Sequence, residues 1–406
     1  MDKSSGKTRI CVNMIVKDEQ DVIVRCLNSV KHLVDAAVLC DTGSTDKTVD
    51  VMNQWIKDND KLGHVGEEPW VDFGHNRTHA LNMAYDFIRE HLKDEPGTTW
   101  YILFMDADDY IIGDDNKPIK VDLSSLTEPA YIIDMKCGTL KYDRTWMIKY
   151  NEDKLWKWFE PLHEYVSPID KVPIKSGKVT GGIMQATRDG ARSKDPVKYL
   201  KDAIVFERRH VIDEREHAGE KDFEHGDRSI FYLAQCYRDS GRPHLYKIAE
   251  KLYIKRSGMG GWPEEVYMSL VNSAQTRIMQ DKMDHKVLDR LQKAFELRPV
   301  RLEAPYWMLK WYRHHKMFKI GYLFGKTLIN TPYPRSDKLF VDDGIHQWKF
   351  RDEVAICGYY AGDKKLSKSL WDVILKRNDL GGNRDRIVKN RQFCLTPEEA
   401  KAESQS

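Results

Sequence analysis

The sequence predicts an α/β chain: a doubly wound, mostly parallel sheet followed by an all-α, repeat-like region. Three observations carry this. Apolar strands alternate with amphipathic helices up to about residue 105, shorter aromatic strands follow, and the pattern turns helical after Pro196. A chain of 406 residues also exceeds one typical core, since single cores stop growing at roughly 250–300 residues. Two domains are therefore expected, 1–195 and 196–406.

Residues 10–16 are an apolar run broken only by Asn13, which suits a strand buried on both faces. Residues 19–30 place Val22, Cys26, Leu27 and Val30 on one helical face. Residues 36–40 read as a second strand, and Ser44-Thr45-Asp46 as the opening of a second helix. A strand near 64–67 and a helix over about 76–91 follow, then the most hydrophobic strand, 100–105. In such sheets ligands bind beyond the carboxyl ends of the strands. Residues 130–173 predict an antiparallel extension of the sheet that walls an acceptor. Residues 187–196 are polar and basic and read as a mobile loop.

Beyond Pro196, helical segments pair as 229–240 with 246–256, 264–280 with 285–297, 304–315 with 321–329, and 351–360 with 366–375. Their spacing is near the ~34 residues of helix-turn-helix repeats. Such an array packs against a catalytic domain or offers a concave surface to an acceptor or partner. A homo-oligomer would form through it.

Composition narrows the class. Hydrophobic residues make up 41% and charged residues 32%, as in a packed, soluble protein. A net charge of +2 gives no reason to expect nucleic acid. The seven cysteines form no C-x-x-C pair, which suits a reducing compartment. Residues 1–9 lack the apolar core of a signal peptide, and no apolar run approaches the ~20 residues that span a bilayer. The expectation is a soluble protein without a transmembrane segment, in the cytoplasm or another reducing intracellular compartment.

Two constellations carry chemistry. Strand 100–105 delivers Asp106-Ala107-Asp108-Asp109 at its carboxyl end. Hard cations such as Mg²⁺ and Mn²⁺ take oxygen ligands, often one or two carboxylates together with substrate phosphates. A solvated acidic turn is the competing reading. Asp41 ends the second strand and can accept from a base or ribose, while Gly43 permits a tight turn. For Ser44 and Asp46, turn and N-cap chemistry competes equally. Trp156 and Trp158 either stack on a sugar or belong to the core.

Ile15-Val16-Lys17-Asp18-Glu19, the segment from Asp41 to Asp46, Gly74-His75-Asn76-Arg77 and Asp106-Ala107-Asp108-Asp109 resemble the family-2 glycosyltransferases of the GT-A fold, in order and spacing, across the first half. Asp227 to Gln235 looks like the appended helical repeats of one subgroup, found in bacteria and large DNA viruses. The resemblance implies an inverting, metal-dependent enzyme that takes a UDP-sugar, with Mn²⁺ or Mg²⁺. It places Val16 and Glu19 along the nucleoside pocket and Asp41 on the uracil. Asn76 and Arg77 would approach the base, ribose or phosphates, Asp106 with Ala107 the ribose or donor sugar, and Asp108 the metal.

Family members set an acidic base on the acceptor side. Glu164 in Trp158-Phe159-Glu160-Pro161-Leu162-His163-Glu164 is the best match, with Asp189 and Asp109 competing. His163 reads as a metal or acceptor contact, or as a half-buried structural histidine. Many relatives have a histidine near Gln185, where this chain offers only a carbonyl oxygen as a third ligand. Arg188 and Arg192, with Lys194, would close over the diphosphate, since guanidinium groups pair well with phosphate oxygens; a solvated hinge competes. The implied transfer moves a hexose, glucose first, to a glycan, a lipid-linked sugar or a glycosylated protein such as one bearing collagen-like hydroxylysine. The alternatives are a non-catalytic helical-repeat scaffold with a degenerate sheet, and a sugar nucleotidyltransferase. The second would need a Gly-rich basic loop where Lys17-Asp18-Glu19-Gln20-Asp21 stands.

Overall fold

A computed structural model describes residues 7–92, 95, 97–138, 140–187, 189–216 and 225–403. Two compact units meet in sequence between Lys198 and Tyr199. The first contains β1 (Thr8–Val16), α1 (Ile23–Val30), β2 (Ala36–Asp41), α2 (Thr48–Asp58), β3 (Leu62–Glu67), α3 (Phe73–Leu92) and β4 (Thr99–Phe104). Then come β5 (Tyr110–Gly113), β6 (Ala130–Cys137), β7 (Leu140–Lys149), β8 (Trp156–Phe159), β9 (Tyr165–Pro168), β10 (Ser176–Lys178) and β11 (Gly182–Gln185).

Nine strands form one sheet in the order β3-β2-β1-β4-β7-β6-β11-β5, with β10 beside β6. The first four are parallel and β7 joins β4 antiparallel. Alternation along β1 explains the two-sided burial. Ile10, Val12, Met14 and Val16 enter the core that contains α1 residues such as Leu27, while Cys11 enters the core that contains α3 residues such as Leu81 and Tyr85. The one polar interruption is satisfied: Asn13 Nδ2 donates to Val38 O at 2.9 Å and Ala80 O at 2.8 Å, tying β1 to β2 and α3.

Three expectations need adjusting. The antiparallel extension divides, because β8 and β9 leave the main sheet and pair with each other. Helix α2 opens at Thr48, not at Ser44; the Asp46 carboxylate accepts from Thr48 N at 2.9 Å just ahead of it. The segment expected to be mobile contains a 3₁₀ turn, Ala191–Lys194, that is tied down at the site.

The second unit is helical: α4 (Lys198–Glu216), α5 (His225–Asp239), α6 (Pro243–Ser257), α7 (Pro263–Ile278), α8 (His285–Leu297), α9 (Glu303–His314), α10 (Phe318–Leu328), α11 (Phe350–Ala361), α12 (Lys364–Leu375), α13 (Arg384–Gln392) and α14 (Pro397–Glu403). From α5 to α13 each helix packs on the next, as a helix-pair array requires. Pro243 and Pro263 open α6 and α7, where a missing N–H costs nothing. A π-helical stretch, Ile345–Lys349, runs into α11. The α/β sheet followed by a repeat-like helical region is thus the architecture the chain adopts. Among the described residues no helix is long and apolar enough to cross a membrane.

Candidate active site

Parallel pairing of β2, β1 and β4 brings their carboxyl ends together. Val16, buried at the end of β1, accepts at its carbonyl from Thr42 N (2.9 Å) and Oγ1 (3.2 Å). Asp41 is also buried. Its Oδ2 accepts from Gly43 N and Ser44 N, each at 2.9 Å, and Gly43 sits at φ +99° to allow this turn. Its Oδ1 is buried with no partner. A bare buried oxygen is costly and calls for a donor.

Beyond β4, Asp106 sits between two arginines. Arg144 Nη1 donates to Oδ2 at 2.6 Å and Nη2 to Oδ1 at 3.3 Å, and Arg77 Nη2 also donates to Oδ1. Burial opposes ionisation here, but Arg144 and Arg77 overcome it and hold the Asp106 carboxyl well below the usual range. Arg77 reaches the other way too, its Nε donating to Glu164 Oε1 at 2.7 Å, with its guanidinium 5.0 Å from the Trp158 ring centre. It therefore couples the Asp-x-Asp turn to the acidic residue expected on the acceptor side.

Asp108 and Glu19 form a second focus. A Cβ at Gly190 would fall 2.8 Å from Glu19 Oε1 and 2.9 Å from Asp108 Oδ2, so glycine lets the backbone close over both carboxylates. Glu19 accepts from Ala191 N at 2.9 Å. Its carboxyl is pushed up to about 7, by burial first, then, against the Ala191 bond, by the Asp108 charge. Asp108 is raised by burial and then by Asp106. Asp109, buried with Oδ2 unpartnered, is pushed up to about 8 by burial and then Asp106. Among the described residues no group of three or more His, Cys, Asp or Glu is set to hold a metal ion. Yet carboxylates raised by burial and one another are what a hard cation relieves, and Mg²⁺ needs only one or two beside phosphates and water. Asp108 and Glu19 fit that donor set.

Several expected residues lie elsewhere. Asn76 is fully buried and its amide holds the preceding loop, accepting from Val71 N at 2.9 Å and donating to Pro69 O at 3.0 Å; its place is to shape that loop. Trp156 and Trp158 are corrected from acceptor wall to core: both are buried, and Trp158 packs edge-on to Phe104 at 5.0 Å. Ala107 is buried in the other core. His163 is exposed on a left-handed backbone (φ 52°), and Gln185 is half-buried on β11 beside β5. Asp189 is bound to Arg25 at 2.5 and 2.9 Å, which holds it well below the usual range and unfits it as a base. Arg192 lies 4.7 Å from the Phe73 ring centre. Arg188 lies outside the described residues.

Sequence reasoning missed Arg144 and Arg25. Arg25 clamps the 187–191 segment, donating also to Asp108 O at 2.6 Å, while Thr187 Oγ1 donates to the same oxygen at 2.6 Å. The available signal was an arginine inside the otherwise strand-like run Tyr142 to Ile148, facing a known acidic turn.

Residues 11–119 match the profile of Glycosyl transferase family 2. Over that stretch the chain is similar to a family-2 glycosyl transferase domain. The stretch contains Val16, Glu19, Asp41, Arg77, Asp106 and Asp108. A TPR repeat-containing protein of Synechococcus elongatus is 28% identical over 166 residues, 40% of this chain and 36% of that protein. An uncharacterized glycosyltransferase of Rickettsia typhi is 25% identical over 193 residues, 47% of this chain and 56% of that protein. The chain thus spans about a third to a little over half of these relatives. Among solved structures, TarS 1–349 of S. aureus with UDP-GlcNAc aligns over 71% of this chain and 90% of its own, at 14% identity and a TM-score of 0.33.

Proposed function

We propose that the chain is an inverting glycosyltransferase that moves a hexose from a UDP-sugar to a hydroxyl on a glycan or glycosylated protein, with Mn²⁺ or Mg²⁺. The observation that carries this reading is the meeting of Asp108 and Glu19 at Gly190, with the bare Asp41 oxygen at the carboxyl end of the same group of parallel strands. The family-2 match over the same residues supports it.

A divalent cation held by Asp108, with Glu19 beside it, would neutralise charge growing on the departing diphosphate. The protein's own residues do the rest. Asp41 Oδ1 accepts from the base. Glu164, anchored by Arg77 through one oxygen, takes the proton of the acceptor hydroxyl as that oxygen bonds to the anomeric carbon and the bond to UDP breaks. Arg77 and Arg144 keep Asp106 ionised, which fixes both guanidinium groups at the donor site.

The test is a panel of UDP-sugars with Mn²⁺, UDP-glucose first, scored by thermal stabilisation and donor turnover. Asp108→Ala is expected to lower turnover by about 10²–10³-fold and to abolish metal-dependent UDP binding, with the fold intact. Unchanged activity in that variant removes the metal assignment. Failure of every nucleotide sugar to stabilise the chain favours the scaffold reading.

A further inference from the structure

The helical unit holds a cavity of about 760 Å³ that the transfer reaction does not use. That volume is in the range of small-molecule sites. Its walls come from α9, α11 and α13 and from the π-helical stretch, an irregularity frequent at functional sites. We propose that this cavity binds an anionic sugar chain, independently of the donor site in the first unit.

The floor is built from adjacent buried carboxylates on α11, Asp352 and Glu353. Asp352 accepts from Trp371 Nε1 at 2.8 Å and Arg386 Nη2 at 2.7 Å. Glu353 accepts from Arg313 Nε at 2.8 Å and Nη2 at 3.2 Å. These bonds set two guanidinium forks in the wall while leaving Arg313 Nη1 and Arg386 Nε and Nη1 without hydrogen bonds among the described residues. Forks held in this way suit carboxylate, phosphate or in-plane hydroxyl oxygens. Lys316 and Lys349 also line the cavity; Lys349 is held by Asp342 at 3.1 Å, so Lys316 and the outward N–H groups of the two forks supply the positive face.

The rim supplies flat apolar faces. Phe318 and Tyr360 stack at 4.3 Å, and Tyr360 and Phe393 remain 61% and 55% exposed. A pyranose presents one face of C–H groups to such rings and its hydroxyls to the forks beside them. An extended acidic peptide is served less well. Its main chain would need polar partners, the wall helices bond their own backbone, and of the two wall asparagines Asn383 already donates to Leu380 O.

The experiment titrates the full chain, by tryptophan fluorescence from Trp348 and Trp371 and by calorimetry. The probes are a galacturonic acid tetramer, a heparin tetrasaccharide, a neutral glucose tetramer and an octapeptide of glutamates. Binding of either anionic tetramer is expected, weakened at least tenfold in Tyr360→Ala and in Lys316→Glu. Both side chains are at the cavity edge, so an unchanged Tm and unchanged UDP stabilisation certify the fold of each variant. Binding of neither tetramer overturns the proposal. So does equal binding of the neutral tetramer or the peptide, or insensitivity to both variants. Because UDP stabilisation is read separately, failure here is distinct from failure of the transferase reading.

Discussion

The two units treat buried acid differently. In the helical unit, most buried carboxylates sit on arginines: Glu265 on Arg256 at 2.6 Å, Glu303 on Arg301 at 2.8 Å, Asp337 on Arg298 and Glu250 on Arg277 and Arg290, while Glu264 accepts from the N–H groups of Lys338 and Leu339. In the first unit, Asp41 and Asp109 are as deeply buried, but Arg144 comes no nearer to Asp109 than 3.8 Å and no arginine bonds Asp41, so each keeps an oxygen bare, as Glu265 Oε1 does, but without an arginine on its other oxygen. Paired charges of the first kind lock helix against helix. Unpaired oxygens of the second kind cost stability unless something binds them. On the proposed reading, the difference separates architecture from a ligand site.

Four variants put that contrast at risk. Glu164→Gln keeps an acceptor for Arg77 but no longer takes a proton. Transfer should fall by about 10²–10⁴-fold while UDP still stabilises the chain; comparable turnover would place the base elsewhere. Arg301→Met in the helical unit leaves Glu303 with only Tyr267, the Asp342 N–H and His346, and should lower the unfolding free energy by about 3 kcal/mol, read by urea denaturation. A change below about 1 kcal/mol would show that the helical pairs are not architectural.

Next comes a pH effect at Glu19. Its folded pKa, about 7, lies above the ordinary carboxyl value. The native state therefore holds the proton longer than the unfolded chain. The stabilisation is full below about 4.5 and is lost as pH rises through about 7. In metal-free buffer the Tm of Glu19→Gln, compared with that of the parent, should gain with rising pH across this window; parallel curves would refute it. The smallest effect belongs to Asp109→Asn. Burial and the Asp106 charge raise its carboxyl well above the usual range and favour the protonated form. The amide should change stability by less than about 1 kcal/mol, whereas a large loss would mean that Arg144 ionises it.

Much of the fold was legible. The run at 10–16 and the helical faces after it placed α1, α3, β2 and β4 to within a few residues, because a parallel sheet imprints long apolar strands on its sequence. Helix pairs in the second half were legible for the same reason: their apolar faces repeat. The tryptophans were not. Trp156 and Trp158 alternate like any half-exposed strand, and only the departure of β8–β9 from the main sheet, onto α3, turns the face they share inward while Lys157 stays exposed. Asn76 misled similarly, since an amide that holds its own preceding loop reads in sequence like one reaching for a ligand.

The sequence by itself determined the Asp-x-Asp turn, Asp41 at the second strand end and the change from strand-helix alternation to helix pairs. Each is a local pattern, set by side-chain periodicity and turn chemistry. Only the tertiary structure decided the company those residues keep: Arg144 from β7 and Arg77 from α3 closing on Asp106, Asp189 bound by Arg25, and Gly190 bringing Glu19 against Asp108. Arg77 and Asp106 stand 29 residues apart in the chain, and Arg25 and Asp189 stand 164 apart. Electrostatic partnership depends on distance in space, which no periodicity along the sequence encodes.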